Sequence, residues 1–544
     1  AARHEEPGFD PRLLLKVEVV GASPEDFEAI GGLRVVSQEA RSLVLLFATE
    51  AGLADFRHRL DQVAAGRRPT RQDLLFAVKG VSGWTRADRT GPALGREGVP
   101  PDGAFLVDVE LWPLEQGRER AQMLGHFDRW CEEHGVAILD KVNQRAVILK
   151  RLRLESGPLG RLLELRDVRL VDLPPRYQLD VRLTHLPLAT IGEVPPPPED
   201  AEGVAVLDSG IAANHPVLGP AVGDAQSFLP ELGPEDECGH GTMVAGLALY
   251  GDVATRAETG RFVPELRLFS GRICDARNEN DTGFVENHVV EAVRYFREHY
   301  GCRVFNLSFG DLRRPYTGGH VRGLAAILDS LAREQGVLFT VAAGNFAGSD
   351  EGPTDWRREY PEYLLHEDAR LIDPAPALNV LTVGSLARYE VPRMGQRFPH
   401  DVGYQAIARA DAPSPFSRSG PGPGGAIKPD VAEYGGNWHV EARARPDTAR
   451  GSSDLGELST WHAFVGGNLF GQDSGTSFAA PRVAHGAPHV FRLYPDASPD
   501  LVRALIVAHA RQPPAALDAV GHDRAKALRL IGYGAPDWDA VRYS

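Results

Sequence analysis

Downstream of Pro195-Pro196-Pro197-Pro198, short apolar runs at residues 204–207, 304–307, 338–342 and 380–383 alternate with stretches of helical spacing. Runs that are apolar at nearly every position, rather than at alternate ones, belong to strands buried on both faces. Strands of that kind alternating with helices imply a parallel sheet covered by helices on both faces. Four successive prolines can continue neither a helix nor a central strand, so residues 183–198 form a linker that ends in an extended stretch. The α/β domain is therefore expected over 176–544, with its final helix at 498–508.

A chain of 544 residues exceeds what one hydrophobic core organises, so further domains precede the linker. Residues 96–175 read as β-α-β-β-α-β: strand 104–112, helix 117–134, strands 136–139 and 146–149, helix 158–165 and strand 168–171. That is the order of a split, ferredoxin-like unit. Residues 1–95 repeat it more loosely, with strands 13–20, 33–36, 42–47 and 74–78 and helices 24–30 and 52–65. The expected fold is thus α/β, a helix-covered parallel sheet preceded by two ferredoxin-like α+β modules. Such modules serve many roles, and plain interaction domains are an equal reading of them.

Three separated segments carry chemistry. Gly203-Val204-Ala205-Val206-Leu207-Asp208-Ser209-Gly210 places a carboxylate at the C-terminal end of a buried strand, where α/β sheets build their sites. Alone, Asp208 reads as readily as a turn or cap residue. His240 stands between Gly239 and Gly241 at the start of a small-residue helix; glycines there admit close backbone approach, though a capping or core histidine would look similar. In Ser474-Gly475-Thr476-Ser477-Phe478-Ala479-Ala480-Pro481 a serine opens a helix. Its amides and the positive end of the helix dipole then face any developing oxyanion; the plainer alternative is an N-cap.

Taken together, these blocks and Val341-Ala342-Ala343-Gly344-Asn345 resemble the subtilase family of serine proteases over roughly residues 200–540, in the chain order Asp, His, Ser. The resemblance implies a subtilisin-like sheet, an Asp208–His240–Ser477 triad, an acyl-enzyme intermediate and the Asn345 amide as an oxyanion donor. It implies substrate-binding roles for Ser308, Phe309 and Gly310 in Asn306-Leu307-Ser308-Phe309-Gly310. The same role falls to Gly283 and Phe284 on the opposing strand, and to Ala343 and Gly344. Ser417-Arg418-Ser419-Gly420 and Ile427-Lys428-Pro429-Asp430-Val431 resemble scaffold segments of the family. The N-terminal modules resemble its propeptide fold, in tandem. The chemistry so implied calls for no metal or cofactor.

The sequence also departs from the family. Met243 stands where secreted members carry a second histidine, and residues 249–264 lack the usual calcium-loop pattern, so no calcium site is expected. After Lys428-Pro429-Asp430-Val431 the chain continues Ala432-Glu433-Tyr434 instead of Ala-Pro-Gly. Stretches near 349–374 and 436–471 read as insertions, which around a cleft restrict access; surface decoration is the alternative. Cys238, two residues before His240, reads as a small buried hydrophobe or as a thiol whose modification blocks the site.

A formal charge of −15 argues against nucleic-acid binding. No run of about 18 apolar residues occurs, and residues 1–7 have no apolar signal core. Four cysteines do not make a disulfide framework. The expectation is a cytoplasmic bacterial serine endopeptidase acting on protein or peptide substrates, restrained by its N-terminal region and selective for few of them. Residues 171–176 are the expected self-processing segment. Resemblance to long intracellular subtilases implies an AAA+ ATPase partner. The competing reading, a regulatory scaffold binding through the N-terminal modules, is opposed by an intact triad with Asn345.

Overall fold

The computed structural model describes residues 13–19, 33–40, 43–48, 50–67, 78–100, 103–114, 117–144, 147–174, 191–275, 283–349, 352–391, 404–441, 445–451, 453–466 and 468–543. The helix expected over 24–30, and residues 175, 176, 281 and 282, lie outside them. The chain divides into two compact units: Ala1–Pro174 with Thr282–Phe284 and Gly318–Arg322, and Pro175–Asp281 with Val285–Thr317 and Gly323–Ser544.

The first unit contains two four-stranded antiparallel sheets. One is built from β1 (Leu13–Val19), β2 (Leu33–Ala40), β3 (Leu43–Ala48) and β4 (Val78–Gly83), in the order β2-β3-β1-β4, with α1 (Glu50–Ala64) between β3 and β4. The edge strand is described from Val78, the last residue of the expected 74–78, whose other four residues lie outside the described ones, and it sets Val81 opposite Val17. Its sequence, Val-Lys-Gly-Val-Ser-Gly, has two glycines and little apolar pattern, so the partner strand rather than propensity fixes it.

The other sheet repeats the plan with β5 (Phe105–Leu111), α2 (Gly117–Glu133), β6 (Ala137–Asn143), β7 (Ile148–Leu154), α3 (Ser156–Leu162) and β8 (Val168–Asp172), in the order β6-β7-β5-β8. Second-third-first-fourth is the ferredoxin-like strand order in both sheets. Helix α2 buries Met123, Phe127, Trp130 and Cys131, one helical face, against Val107, Val109 and Leu152. Strand β7 outruns the expected 146–149 because Lys150 and Arg151 interrupt its apolar pattern, yet both are buried. Lys150 pairs with Asp128, and Arg151 pairs with Asp108 at 2.8 Å. Also in this unit, the Arg151 guanidinium lies 4.6 Å over the ring of Phe284, and the Phe284 amide donates to Asp140.

The second unit is built on a seven-stranded parallel sheet, in the order β10-β11-β9-β12-β13-β14-β16. Its strands are β9 (Gly203–Asp208), β10 (Val222–Ser227), β11 (Arg267–Arg272), β12 (Val304–Leu307), β13 (Leu338–Ala342), β14 (Leu381–Leu386) and β16 (Val431–Tyr434); β15 (Tyr404–Ala406) lies outside it. Helices α4 (His240–Tyr250) and α7 (Thr476–Leu493) share one core, in which Met243, Val244 and Leu247 meet Ala480, Val483 and Ala487. All eleven residues of α4 are buried, so position 243 takes an apolar side chain. Helices α5 (Val285–Tyr300) and α6 (Gly323–Gln335) pair with each other. The helix at Pro499–Ala508 is not the last: Pro514–Ala519, Arg524–Ile531 and Trp538–Arg542 follow. Helices of five to eight residues span too few turns to show a period.

The two stretches read as insertions are not decoration. Trp356, Tyr363, Leu364 and Ala369 from one, with Val440 from the other, enter a second core with Phe346 and Leu386. The rings of Trp356 and Trp438 meet across it with centroids 5.8 Å apart and planes tilted by 56°. The second stretch supplies β17 (Trp438–Glu441) and β18 (Arg445–Gly451), which pair with each other, β17 also with β15; β19 (Glu457–Thr460) forms a hairpin with β20 (Phe470–Asp473). Among the described residues no helix is long and apolar enough to cross a membrane.

Candidate active site

Strand order reverses at β9, flanked by β11 on one side and β12 on the other. Side chains at the carboxyl ends of strands beside such a point face a crevice. Asp208 ends β9, fully buried, and its Oδ1 accepts from the Ser209 amide and meets His240 Nδ1, each at 2.8 Å. A carboxylate at Nδ1 keeps the proton there, which leaves Nε2 as the basic nitrogen. Burial alone would depress the His240 pKa, but the Asp208 carboxylate, with Asp236 and Asp473 further off, holds it above the ordinary histidine value.

His240 is placed by the turn before it. Gly239 caps α4 with φ 92°, a left-handed conformation that glycine adopts without strain. The Asp236 carboxylate then accepts from Ser209 Oγ (3.0 Å), from the amides of Cys238 (3.1 Å), Gly239 (2.8 Å) and Thr242 (2.8 Å), and from Thr242 Oγ1 (2.7 Å). Ser209 Oγ accepts in turn from the Gly241 amide at 3.0 Å. The orphan donors of the helix start are thus met by two side chains, one of them adjacent to Asp208. Sequence reasoning passed over Asp236 and Ser209; the available signal was an acid four residues before a helix-opening histidine.

Ser477 sits in the first turn of α7, 8 % exposed. Its hydroxyl donates to the Ser308 carbonyl at 2.7 Å, while Ser308 Oγ donates back to the Ser477 carbonyl at 3.0 Å. Asn306 Nδ2 supports Ser308 Oγ at 2.9 Å, and Thr340 Oγ1 supports Asn306 Oδ1 at 3.0 Å. Asn345 leaves β13 beside this network. Its Oδ1 accepts from the Thr476 amide (2.9 Å) and hydroxyl (3.1 Å), which turns the amide nitrogen the other way. That nitrogen lies beside Gly475, where a methyl group would come within 3.0 Å of it. Arg418 Nε ties the Asn345 carbonyl at 3.0 Å.

The structure therefore joins Asp208 to His240, Ser477 to Ser308, and Asn345 to the residue before Ser477. No hydrogen bond joins His240 to Ser477 among the described residues. The side chain of Phe309 is buried, Ser308 is engaged through its hydroxyl and its carbonyl, and the amides of Ala343 and Gly344 donate to the Val383 carbonyl (3.0 Å) and to Thr476 Oγ1 (3.1 Å). Gly283 and Phe284 group with the first unit. Cys238 is half-buried, and burial first, then Asp236, pushes its thiol up to about 12, which suppresses the nucleophilic thiolate at neutral pH. A base at Nε2, a hydroxyl at a helix start and a directed amide are the parts that acyl transfer requires.

Residues 200–534 match the model of the Subtilase family; residues 88–173 match the Y4kK central domain and residues 1–85 the Y4kK N-terminal domain. The chain is 41% identical over 263 residues to the uncharacterized protein y4bN of Sinorhizobium fredii, covering 47% of this chain and 59% of that one. It is 24% identical over 305 residues to the serine protease AprX of Bacillus subtilis, covering 56% and 60%. It therefore spans about three-fifths of the length of these two relatives. The crystal structure of the epidermin leader peptide processing serine protease EpiP of Staphylococcus aureus aligns with a TM-score of 0.49 at 14% identity, over 81% of this chain and 100% of that one.

Proposed function

The chain belongs to the subtilase family, and from that premise we propose that it hydrolyses peptide bonds with Ser477 as nucleophile, His240 as general base and Asp208 as orienting carboxylate. The observation that carries this reading is the buried 2.8 Å contact between His240 Nδ1 and Asp208 Oδ1, which frees Nε2 to take a proton. The Ser477 hydroxyl swings from the Ser308 carbonyl to His240, attacks the substrate carbonyl and passes its proton to Nε2. The imidazolium so formed is stabilised by Asp208 and gives the proton to the departing amine. Asn345 Nδ2 and the Ser477 amide hold the oxyanion of each tetrahedral intermediate. Water then resolves the acyl-enzyme by the same base.

A fluorophosphonate probe tests the assignment. Wild type is expected to be labelled on Ser477, and Ser477→Ala is expected not to be. Absence of label on wild type after removal or retention of residues 1–175 alike would sink it. We further propose that residues 1–175 restrain the enzyme and that its substrates are few; the ferredoxin-like order of both N-terminal sheets and the packed insertions support this. Intact masses of wild type and Ser477→Ala that differ only by the substituted oxygen would rule out self-processing.

A further inference from the structure

Arg418 is 6 % exposed, and among the described residues no carboxylate lies within ion-pair distance of its guanidinium. Burial pulls its pKa down to about 10, with Asp368 opposing in part, so the charge persists at neutral pH. A buried charge is costly unless it is well met, and here every hydrogen bond of the guanidinium goes to a main-chain carbonyl. Nε donates to Asn345 at 3.0 Å, and Nη1 donates to Asp368 at 2.7 Å and to Arg370 at 2.8 Å. The guanidinium also lies 5.7 Å over the ring of Phe346.

Those carbonyls belong to two segments, both paired with residues 416–420. Asn345 bridges Ser417, the Phe346 amide donates to Phe416 at 2.7 Å, and the Arg418 amide donates to Gly344 at 3.2 Å. Arg370 bridges Ser419, whose amide donates to Ala369 at 2.8 Å and whose carbonyl accepts from Leu371 at 2.9 Å. Residues 368–370 lie in the 349–374 stretch, so one side chain fastens that stretch to Asn345. Asn345 is then held at two oxygens, Oδ1 by Thr476 and the main-chain carbonyl by Arg418. With both fixed, Nδ2 has little freedom, and a donor stabilises an oxyanion best when it need not reorganise. A lysine ammonium is a point charge without the planar fork, and it cannot reproduce this three-carbonyl contact.

We infer that Arg418 is a positioning residue for the proposed oxyanion donor: by fastening the Asn345 carbonyl to those of Asp368 and Arg370, it fixes the Asn345 side-chain amide for the developing negative charge. This rests on Ser477 as nucleophile and Asn345 as donor, and it adds a device through which the 349–374 stretch bears on catalysis.

The test compares Arg418→Met with Arg418→Lys, the milder change because it keeps the buried charge and a donor. Each is made alone and together with Asn345→Ala, which leaves the main-chain carbonyl in place. Fluorophosphonate labelling carried to completion sets the enzyme concentration, so that misfolded protein does not count. Both single variants are expected to lose about tenfold in kcat with KM changed by less than about twofold. Affinity for a peptide aldehyde, whose hemiacetal with a serine places its oxygen where the oxyanion forms, is expected to fall by the same factor. On top of Asn345→Ala, either Arg418 change is expected to cost less than about twofold more. A role in stability alone would lower the labelled fraction and leave kcat per labelled site unchanged; that result in either variant overturns the inference. So does an equal loss with and without Asn345→Ala, which would place the effect somewhere other than Asn345. Wild type that takes no label would instead remove Ser477 as nucleophile, and Asn345→Ala with undiminished kcat would remove the donor, and the inference falls with either premise.

Discussion

The Ser477 hydroxyl donates a hydrogen bond to the carbonyl oxygen of Ser308, 2.7 Å away, and the Ser308 hydroxyl donates back to the Ser477 carbonyl at 3.0 Å. Ser477, the proposed nucleophile, is thus seated by β12's extension. The proposed attack breaks the first bond and keeps the second, which then holds the backbone of Ser477 in place.

Ser308→Ala removes that second bond together with the one its hydroxyl accepts from Asn306 Nδ2, while the carbonyl that accepts from Ser477 stays. One buried hydrogen bond contributes about 1 kcal/mol, so kcat is expected to fall about five- to tenfold with KM little changed. Steady-state kinetics on a peptide substrate measure the split. An unaltered kcat would show that the serine helix is positioned by its own packing alone.

The Asn345 oxygen anchors the Thr476 amide and hydroxyl, which leaves its nitrogen for the proposed oxyanion role. Asn345→Ala is expected to lower kcat by about 10²–10³, the magnitude known for the same donor in subtilisin itself, with little change in KM. A rise in KM at constant kcat would place Asn345 in ground-state binding instead.

The pH profile tests Asp236. His240 must be neutral to accept a proton, so activity falls as pH drops through its pKa, which stands above the usual histidine value. Burial opposes that elevation, Asp208 supplies most of it and Asp236 part of it. Asp236→Asn removes a negative charge, which lowers the His240 pKa and moves the acid limb of kcat/KM to lower pH. The same change turns an amide N–H toward donors now bound to the carboxylate, including the Gly239 and Thr242 amides. A loss of about 3 kcal/mol is expected, visible as a lower thermal midpoint. A limb that stays put or rises would show that Asp236 does not act on His240.

The difference between Asp208 and Asp236 explains how much of this was readable in advance. Asp208, His240 and Ser477 each lie in a local pattern, a strand end or a helix start, whose geometry follows from neighbours within a few residues. The seven-strand sheet is legible for the same reason, since its strands are continuous apolar runs. Asp236 is an isolated acid in a loop, and its five hydrogen bonds exist only once the turn around Gly239 is formed. Ile372, packed against Gly310 and Gly344, and Trp461, packed against Gly239, are further removed. These glycines are tens to hundreds of residues away from them, in contacts that no local period encodes. Strand β7 fails in a third way, because Lys150 and Arg151 look exposed until Asp128 and Asp108 are brought opposite them.

Gly239 joins the 436–471 stretch to His240. A methyl group there would lie 2.1 Å from Trp461 Cζ3 and 2.5 Å from His462 Nδ1. Trp461 cannot withdraw, since it is 4 % exposed and its amide is bound to Leu469 at 2.9 Å. The hairpin behind it grips the same helix, with Thr460 Oγ1 donating to the Thr242 carbonyl at 2.7 Å and Ser459 Oγ donating to that of Met243. Gly239→Ala therefore has to move the turn, which carries His240 away from Asp208, and adds about 1–2 kcal/mol of left-handed strain. A fall in kcat of at least about 100-fold is expected, equivalent to about 2.7 kcal/mol, with the acid limb displaced toward lower pH as the His240–Asp208 contact loosens. Trp461→Ala alone should chiefly destabilise the fold, by about 3–5 kcal/mol. In the double variant the Trp461 ring no longer opposes the methyl group and only His462 has to shift, so part of the lost kcat should return, as a coupling of about 1 kcal/mol or more between the two sites. Effects that simply add would mean that Trp461 does not bear on the turn, and that the insertion leaves His240 untouched.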